Sequence, residues 1–206
     1  MNDESNSLNI VLLPDEKTTQ TAIELSIELN KKVKTNFVLN GIDLIPHLTI
    51  YQAEFPDENK EKVLNEIEDM VKNIQPFTTD MGGFSSTPEG NIWWNSVFTE
   101  PMASLQAEAI KRCNQLRNNL LLPGIEKLKE KDKEYKNEIE NYGSLWLYKR
   151  YVPHISLTAV EPTIINEALH NLNFEKKMSF NSQRFAIGTL GKYGTVTSII
   201  KEYTIS

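Results

Sequence analysis

The sequence predicts an α+β protein with two pseudo-symmetric lobes, and three observations support this prediction. Short apolar runs of strand length alternate with amphipathic segments of helix length along the 206 residues. A pattern of proline, histidine, apolar, hydroxyl and apolar residues occurs twice, at 46–50 and 153–157. The elements around the two copies also follow the same order. We therefore interpret residues 1–206 as a single domain of two pseudo-repeated halves, each with one histidine strand.

The first half contains three predicted strands and two predicted helices. In chain order these are a strand at 8–13, a helix at 18–32, a strand that carries His47, a helix from Asp57 to before Pro76, and a strand at 77–86. The apolar residues of 18–32 alternate as in a strand, but the length and the Ala, Leu and Glu content favour a helix. Asp57 is typical of a helix N-cap, and Gly82-Gly83 indicates an irregularity in the third strand.

The second half repeats this order with one charged addition. In chain order there follow a turn at 87–90, a strand at 91–98, a helix from 99 that ends at 123–124, a charged helix at 125–141, the strand that carries His154, a helix from Pro162, and closing strands at 178–190 and 195–205. Lys and Glu dominate the segment at about 124–143, so we expect a largely exposed helical insertion that stops near Gly143. His170 lies off the apolar stripe of the last helix and is expected to be solvated.

The spacing within the two halves agrees as well as their order. From the histidine to the proline that starts the next helix, the separation is nine residues in the first half and eight in the second. From the histidine to the turn glycine, Gly90 or Gly194, it is 43 and 40 residues. The opening strand at 8–13 then corresponds to the strand at 91–98. The charged segment accounts for the longer gap before the second histidine.

The composition excludes several classes of protein. A net charge of −6 argues against a protein that binds long nucleic acid by neutralising many phosphates. No apolar run is long enough to cross a bilayer, and the first residues lack the pattern of a signal peptide, so we expect a cytoplasmic protein. The single cysteine, Cys113, excludes an internal disulfide and is expected to be buried. Neither repeated histidine has a second ligand at close spacing, so we expect no metal and no cofactor.

Strand periodicity groups the polar residues of each repeated pattern on one face. Successive side chains of a strand point to opposite sides of a sheet. The polar sets are His47, Thr49 and Tyr51 in the first pattern and His154, Ser156 and Thr158 in the second. A single histidine on a half-buried strand is usually structural, but the repetition favours catalysis by the pair.

Two imidazoles that face one cleft have the chemistry to attack a phosphodiester. Histidine titrates near neutral pH, so one ring can accept a proton from the attacking oxygen while the other donates a proton to the leaving oxygen. The hydroxyls of Thr49 and Ser156 lie two residues further along each strand, where they can hydrogen-bond the non-bridging oxygens. This scheme requires no metal ion.

The residues His47-Leu48-Thr49-Ile50 and His154-Ile155-Ser156-Leu157 resemble the paired motifs of the two-histidine (2H) phosphoesterases. This family includes 2′-5′ RNA ligase-like proteins and 2′,3′-cyclic nucleotide phosphodiesterases, and the similarity in element order covers nearly the whole chain. The resemblance implies a bilobal fold in which two antiparallel sheets line a central cleft with helices outside. It also implies a metal-independent mechanism with His47 and His154 as the acid/base pair and Thr49 and Ser156 gripping the phosphate.

We hypothesise a phosphodiesterase that acts on a 2′,3′-cyclic phosphate or a 2′-5′ linkage of a small nucleotide or RNA end. The expected state is a monomer, with no membrane and no long duplex nucleic acid as partner. Tyr51 is a candidate for base stacking, or else it packs in the cleft wall. Arg150 shares the strand parity of His154 and is a candidate phosphate contact or a surface residue. Trp93 and Trp94 point to opposite faces, so one is expected to lie in the core and the other to be partly exposed. The alternative function is a non-catalytic nucleotide-binding module that uses the same cleft.

Overall fold

The computed structural model describes residues 7–172 and 176–205, and their eight strands form one antiparallel sheet. The strands are β1 (Ser7–Leu13), β2 (Leu48–Glu54), β3 (Phe77–Ser86), β4 (Asn91–Ser96), β5 (His154–Ala159), β6 (Met178–Ser182), β7 (Arg184–Leu190) and β8 (Val196–Thr204). The helices are α1 (Glu16–Lys32), α2 (Asp57–Val71), α3 (Glu100–Cys113), α4 (Lys133–Tyr142) and α5 (Ile165–His170). The predicted α+β class is therefore confirmed.

The sheet has the strand order β6-β3-β4-β5-β2-β1-β7-β8, with the two histidine strands adjacent at its centre. Between these two strands the ladder contains a single residue pair, Leu48 with Ile155. The sequence analysis predicted two separate sheets, and this detail is wrong because that pair joins four strands on each side into one sheet. The division of the chain into two lobes stays a prediction.

One strand from each half of the chain pairs in the other half of the sheet. β3 follows α2 in the chain but pairs with β4, and β7 pairs with β1 rather than with β6. Only Gln183 separates β6 from β7, although these strands lie in different halves of the sheet. The prediction of one strand at 178–190 is therefore wrong. No turn residue marks the break, because the chain continues in extended form while its pairing partner changes.

Both histidine strands contain a bulge at the same place. Against β1, Thr49 pairs with Val11 and Tyr51 with Ile10, which leaves Ile50 as the extra residue. Against β4, the extra residue is Leu157, because Ser156 and Thr158 pair with consecutive residues. Each extra residue lies three positions after the histidine. A bulge interrupts the alternation of side chains, so simple strand parity fails beyond Thr49 and Ser156.

Side chains from two helices fix these bulges by binding their carbonyl oxygens. The hydroxyl of Ser26, in α1, donates to the carbonyl of Leu157 at 2.7 Å. The amide of Gln106, in α3, donates to the carbonyl of Ile50 at 3.1 Å. Both donors are buried, so each bond satisfies a carbonyl that lies away from water. α1 and α3 thereby set the shape of the strands that carry the histidines.

The helix boundaries agree with the sequence analysis in α1 and differ in α2 and α3. The side chain of Asp15 caps α1 by accepting from the amide of Thr18 at 2.8 Å. Asp57 is the first residue of α2 rather than its N-cap, which is Pro56. α3 ends at Cys113 instead of 123–124, because a 3₁₀ turn follows and two asparagines then adopt left-handed φ angles. No helix in the described part of the chain is long and apolar enough to span a membrane.

The charged segment is not one continuous helix as predicted. It consists of a 3₁₀ turn at Ile125–Leu128 followed by α4, which ends at Gly143 with a left-handed φ of 65° as expected for a glycine C-cap. Ile139 and the turn residue Ile125 are buried in a small cluster with Leu122, so part of this segment is core. The helix from Pro162 also starts as a 3₁₀ turn, and His170 is exposed at the end of α5 as predicted.

The predicted turns and the predicted β3 irregularity are present. β3 and β4 form a hairpin that closes with the amide of Thr87 on the carbonyl of Asn91 at 3.0 Å. The ladder shifts register between Met81 and Phe84, where Gly83 has a φ of 74°. Gly90, in the hairpin turn, has a φ of 96°, and a β-carbon there would lie 2.0 Å from the carbonyl oxygen of Val160. Gly90 is therefore required both by its backbone angle and by its contact with the end of the second histidine strand.

We expect Gly90→Ala to lower the free energy of unfolding by more than about 2 kcal/mol, because the methyl group strains the φ angle and also collides with backbone. Gly83→Ala is the matched control, since its φ is also positive but no atom lies within 4 Å of the added carbon. We expect the control to lose about 1 kcal/mol. Urea denaturation measures both, and equal losses would contradict the importance of the Val160 contact.

Candidate active site

The two repeated histidines are anchored in the same way. Nδ1 of His47 lies 2.7 Å from the carbonyl oxygen of Ile45, and Nδ1 of His154 lies 2.6 Å from the carbonyl oxygen of Val152. A carbonyl can only accept, so Nδ1 carries the proton in each neutral ring. Nε2 is then the nitrogen that is able to accept a proton, and the rings are held in equivalent tautomers.

The proline of each repeated pattern explains this anchor. It stands between the histidine and the residue whose carbonyl accepts the bond. A proline restricts the preceding residue to extended backbone angles and has its own φ fixed. Both restrictions act on the short segment from the carbonyl to the imidazole. The proline-histidine pair is therefore a local device for orienting the ring before the strand begins.

Burial keeps both imidazoles neutral at pH 7. His47 is 6% exposed, and burial lowers its pKa below the ordinary value despite the bond to Ile45. Burial also lowers the pKa of His154 to about 4, and repulsion from a charged His47 contributes to the same shift. The two rings are thus close enough to affect each other electrostatically. A phosphate anion between them would act in the opposite direction and raise both pKa values.

Asn9 connects the first histidine to its hydroxyl residue. Its side-chain amide lies 3.3 Å from Nε2 of His47 and donates to the hydroxyl of Thr49 at 3.1 Å. Asn9 is fully buried in β1, between residues of the apolar run that pairs with β2. The sequence analysis did not select it. A polar residue within an otherwise apolar strand is the signal that would have identified it.

The second histidine stacks on an aromatic side chain. The ring of Trp93 lies 3.8 Å from that of His154, centroid to centroid, with an interplanar angle of 16°. Trp146 packs edge-on against Trp93 at 5.6 Å. The prediction that one residue of the Trp93-Trp94 pair is partly exposed is wrong, because Trp93 is covered by these two rings and only 7% exposed.

A cavity of about 200 Å³ opens beside the second histidine. Thr49, His154 and Ser156 line it together with Trp93 and Trp146. The antiparallel pair between Leu48 and Ile155 places His47 opposite Ser156 and Thr49 opposite His154. The four residues are therefore neighbours on adjacent strands, although His47 itself does not line the cavity.

The two further candidates lie differently from what strand parity suggests. Tyr51 is fully buried in the cavity wall, and its hydroxyl donates to the carbonyl of Tyr142 at 2.8 Å. This is the packing alternative rather than an exposed stacking surface. Thr158, expected on the histidine face, instead donates to the carbonyl of Phe37 at 2.6 Å, since it lies beyond the bulge.

Arg150 does not line the cavity beside His154. It belongs to a 3₁₀ turn at Tyr148–Arg150, so the strand parity assumed in the sequence analysis does not apply to it. Its guanidinium lies 4.2 Å from the ring centroid of Tyr135 and 5.1 Å from that of Trp146. Glu134 and Glu138 of α4 each approach it to 3.8 Å. This arginine packs between α4 and the loop that follows it, and its contact with a phosphate stays a prediction.

The loop from 144 to 148 is held in a strained shape beside the cavity. Trp146 and Tyr148 have left-handed φ angles of 62° and 52°, which side-chain-bearing residues rarely adopt. The carboxylate of Glu138 accepts from the amides of Trp146 at 3.1 Å and Leu147 at 3.3 Å. Gln106 accepts from the amide of Tyr148 at 2.8 Å. These buried acceptors compensate for the strain and place Trp146 in the cavity wall.

Burial raises the pKa of the Glu138 carboxyl, while the neighbouring Arg150 and the two amide bonds act against this rise. The sequence analysis treated the charged segment as a solvated face and did not select Glu138. Spacing within the segment gives no sign that one of its many glutamates is buried. Only the packing of α4 against the strained loop identifies it.

Comparison with known proteins agrees with this fold. The family model of the 2′-5′ RNA ligase superfamily matches residues 42–191. No curated protein matches the sequence. The structure of TT0787 from Thermus thermophilus is similar with a TM-score of 0.60 and 13% identity over 97% of both chains. That of E. coli LigT complexed with phosphate has a TM-score of 0.52 and 13% identity over 99% of both chains.

The chain therefore belongs to the 2′-5′ RNA ligase superfamily, within the 2H phosphoesterases. The resemblance found from the two histidine motifs is confirmed. At 11–13% identity the solved structures establish the fold alone. The family membership supports an activity of the phosphodiesterase type.

We expect Glu138→Gln to lower the free energy of unfolding by about 1 to 3 kcal/mol, because a carboxamide replaces one acceptor oxygen with a donor that faces an amide N–H. Glu134→Gln is the matched control: this residue of α4 is exposed and equally close to Arg150, but it makes no bond to the loop. Urea denaturation followed by tryptophan fluorescence measures the difference. Equal stability of the two variants would contradict the role of Glu138 in holding the loop.

Proposed function

We propose that this protein is a metal-independent phosphodiesterase that cleaves a 2′,3′-cyclic phosphate or a 2′-5′ linkage. The observation that carries the proposal is the equivalent anchoring of His47 and His154, each through Nδ1 on a carbonyl two residues earlier. Structural histidines have no need for matched tautomers on adjacent strands. The pairing of the two strands brings the rings close enough to interact, and two Nε2 atoms on opposite sides of one phosphorus centre are what proton transfer to and from it requires.

The proposed reaction moves two protons. Nε2 of one neutral imidazole accepts a proton from the attacking oxygen, which forms a bond to phosphorus. The bond from phosphorus to the leaving ribose oxygen breaks on the opposite side. Nε2–H of the other ring, an imidazolium, donates its proton to that oxygen. The net charge of the two rings is unchanged, because one gains the proton that the other loses.

Hydrogen bonds from Thr49 and Ser156 are proposed to hold the non-bridging oxygens. The Thr49 hydroxyl accepts from Asn9, so its own hydrogen is free to be directed toward a phosphate oxygen. Preorganised donors of this kind stabilise charge in the transition state without moving. Asn9 then contacts both His47 and the proposed phosphate grip through one buried amide.

The substrate is proposed to be a small nucleotide or an RNA end. The family description supports this class. E. coli LigT, of similar fold, has been solved with phosphate, with ATP and with NADP+. The net charge of −6 again favours a short substrate over a long duplex.

Replacing either histidine is expected to reduce kcat by about 100-fold or more, because each ring transfers a proton in the same step. The assay is hydrolysis of 2′,3′-cyclic nucleotides and 2′-5′ dinucleotides in EDTA by His47→Ala and His154→Ala. His170→Ala is the control, since this histidine is exposed on α5 and contributes nothing to the cavity. Full turnover in both active-site variants would refute the mechanism, and nucleotide binding without turnover by the native chain would favour a binding module.

The lowered pKa values of the two imidazoles predict that the pH profile of kcat/KM is displaced toward acidic pH. One ring must be protonated and the other not, and both rings are neutral above the ordinary histidine pKa of about 6.5. We expect kcat/KM to fall by about tenfold per pH unit from pH 6.5 to 8, since it reports the free enzyme. The profile of kcat should lie at higher pH, because bound phosphate raises both pKa values. A kcat/KM that is constant over this range would contradict the assignment.

A further inference from the structure

A second cavity, of about 500 Å³, adjoins the phosphate cavity. The two cavities share part of their walls, namely Gln52, Leu145, Trp146, Tyr193 and Gly194. The rest of its lining consists of Ser7, five residues at 122–128, and Leu190, Gly191 and Lys192 at the end of β7 and in the turn that follows. The second cavity therefore adjoins the cavity beside His154, and the charged segment contributes Gly124, Ile125 and Leu128 to its wall.

The sizes of the two cavities differ in a way that bears on the substrate. The phosphate cavity, at about 200 Å³, is below the range of roughly 300 to 1,000 Å³ that is usual for small-molecule sites. It has space for a phosphate and the adjoining sugar atoms. The second cavity lies within that range. A ligand with a second nucleoside attached to the same phosphate would need both.

The lining of the second cavity suits an uncharged ring system beside an anion. Six apolar side chains line it: Leu122, Pro123, Ile125, Leu128, Leu145 and Leu190. Trp146 and Tyr193 add aromatic surface, on which nucleobases stack without regard to sequence. No Asp or Glu is among the described residues that line it. The charged group is Lys192, whose ammonium lies 4.7 Å from the ring of Tyr193.

The walls of this cavity are formed in advance of any ligand. Leu122 and Ile125 pack with Ile139 of α4 in their own buried cluster. Trp146 is fixed by the bond from its amide to Glu138. A preformed wall avoids the cost of ordering it when a ligand binds. The segment that was predicted to be a solvated insertion thus supplies part of a preformed wall next to the proposed phosphate site.

We propose that the second cavity holds the second nucleoside of a dinucleotide or RNA end, with an anionic group of that nucleotide beside Lys192. This inference rests on the proposed function for the position of the phosphate and extends it by selecting the substrate class. The chain then acts on a phosphate that joins two nucleosides in preference to a mononucleotide 2′,3′-cyclic phosphate. The first nucleoside lies toward the mouth of the phosphate cavity.

The test compares a 2′-5′-linked diadenosine monophosphate with 2′,3′-cyclic AMP. Leu128→Trp fills the second cavity, and Lys127→Trp adds the same ring at the preceding exposed residue, which does not line it. We expect Leu128→Trp to lower kcat/KM for the dinucleotide by at least about tenfold, the contribution of one stacked base. Cyclic AMP should change by less than twofold, and Lys127→Trp should affect neither substrate. Equal losses for both substrates, or none, would overturn the proposal.

Calorimetry on the His154→Ala background measures binding without turnover. The dinucleotide should bind at least tenfold more tightly than cyclic AMP, and Leu128→Trp should abolish that advantage. If the native chain hydrolyses neither compound but this pattern of affinities holds, the proposal for the second cavity is supported and the proposed function is wrong. If the dinucleotide binds no more tightly than cyclic AMP, the inference is wrong whatever the turnover.

A second variant tests the proposal even if Leu128→Trp misfolds. Lys192 is exposed, so Lys192→Gln leaves the core intact. A 5′-terminal phosphate on the dinucleotide should raise affinity several-fold in the native chain, and Lys192→Gln should remove that increase. An increase that is the same in both chains would contradict the position of the anion.

Discussion

The active-site geometry depends on two bulges, each fixed by a buried hydrogen bond from a helix. Ser26 binds the carbonyl of Leu157, and Gln106 binds that of Ile50. Without a donor, a displaced carbonyl in the core would cost about 1 to 3 kcal/mol, so the bulged shape would be disfavoured. Each helix precedes one histidine strand in the chain but stabilises the other. Each half of the chain therefore helps to fix the shape of the histidine strand in the other half.

This arrangement also explains the electrostatics of the site. The histidine strands lie at the centre of the sheet, where packing leaves His47 6% exposed and His154 partly buried. This burial lowers both pKa values, so the imidazolium form is scarce in the free protein. The negative charge of a phosphate would favour that form. In the proposed reaction, the substrate itself would thus supply the charge that the acid/base pair needs.

The features of the site that could be predicted from the sequence are those that local patterns specify. The Pro-His pair orients each ring through its bond to the carbonyl two residues earlier, so the matched anchoring of His47 and His154 follows from adjacent residues. The features that were missed arise from distant partners. Asn9 acts across β1 and β2, and the break at Gln183 reflects a change of pairing partner rather than a turn. The predicted orientation of Thr158 was wrong because the bulge before it is fixed by a helix side chain that is 131 residues away in the sequence.

The charged segment illustrates why composition alone misleads about function. Most of its Lys and Glu residues are solvated, as the composition indicates, but Glu138 is 6% exposed and Ile139 is fully buried. A helix needs only one buried carboxylate to hold two amides of a neighbouring loop, and such a residue does not alter the average composition. Through Glu138 the segment fixes Trp146, which lies in the walls of both cavities. A segment with an ordinary solvated face therefore helps to shape both cavities beside the histidine strands.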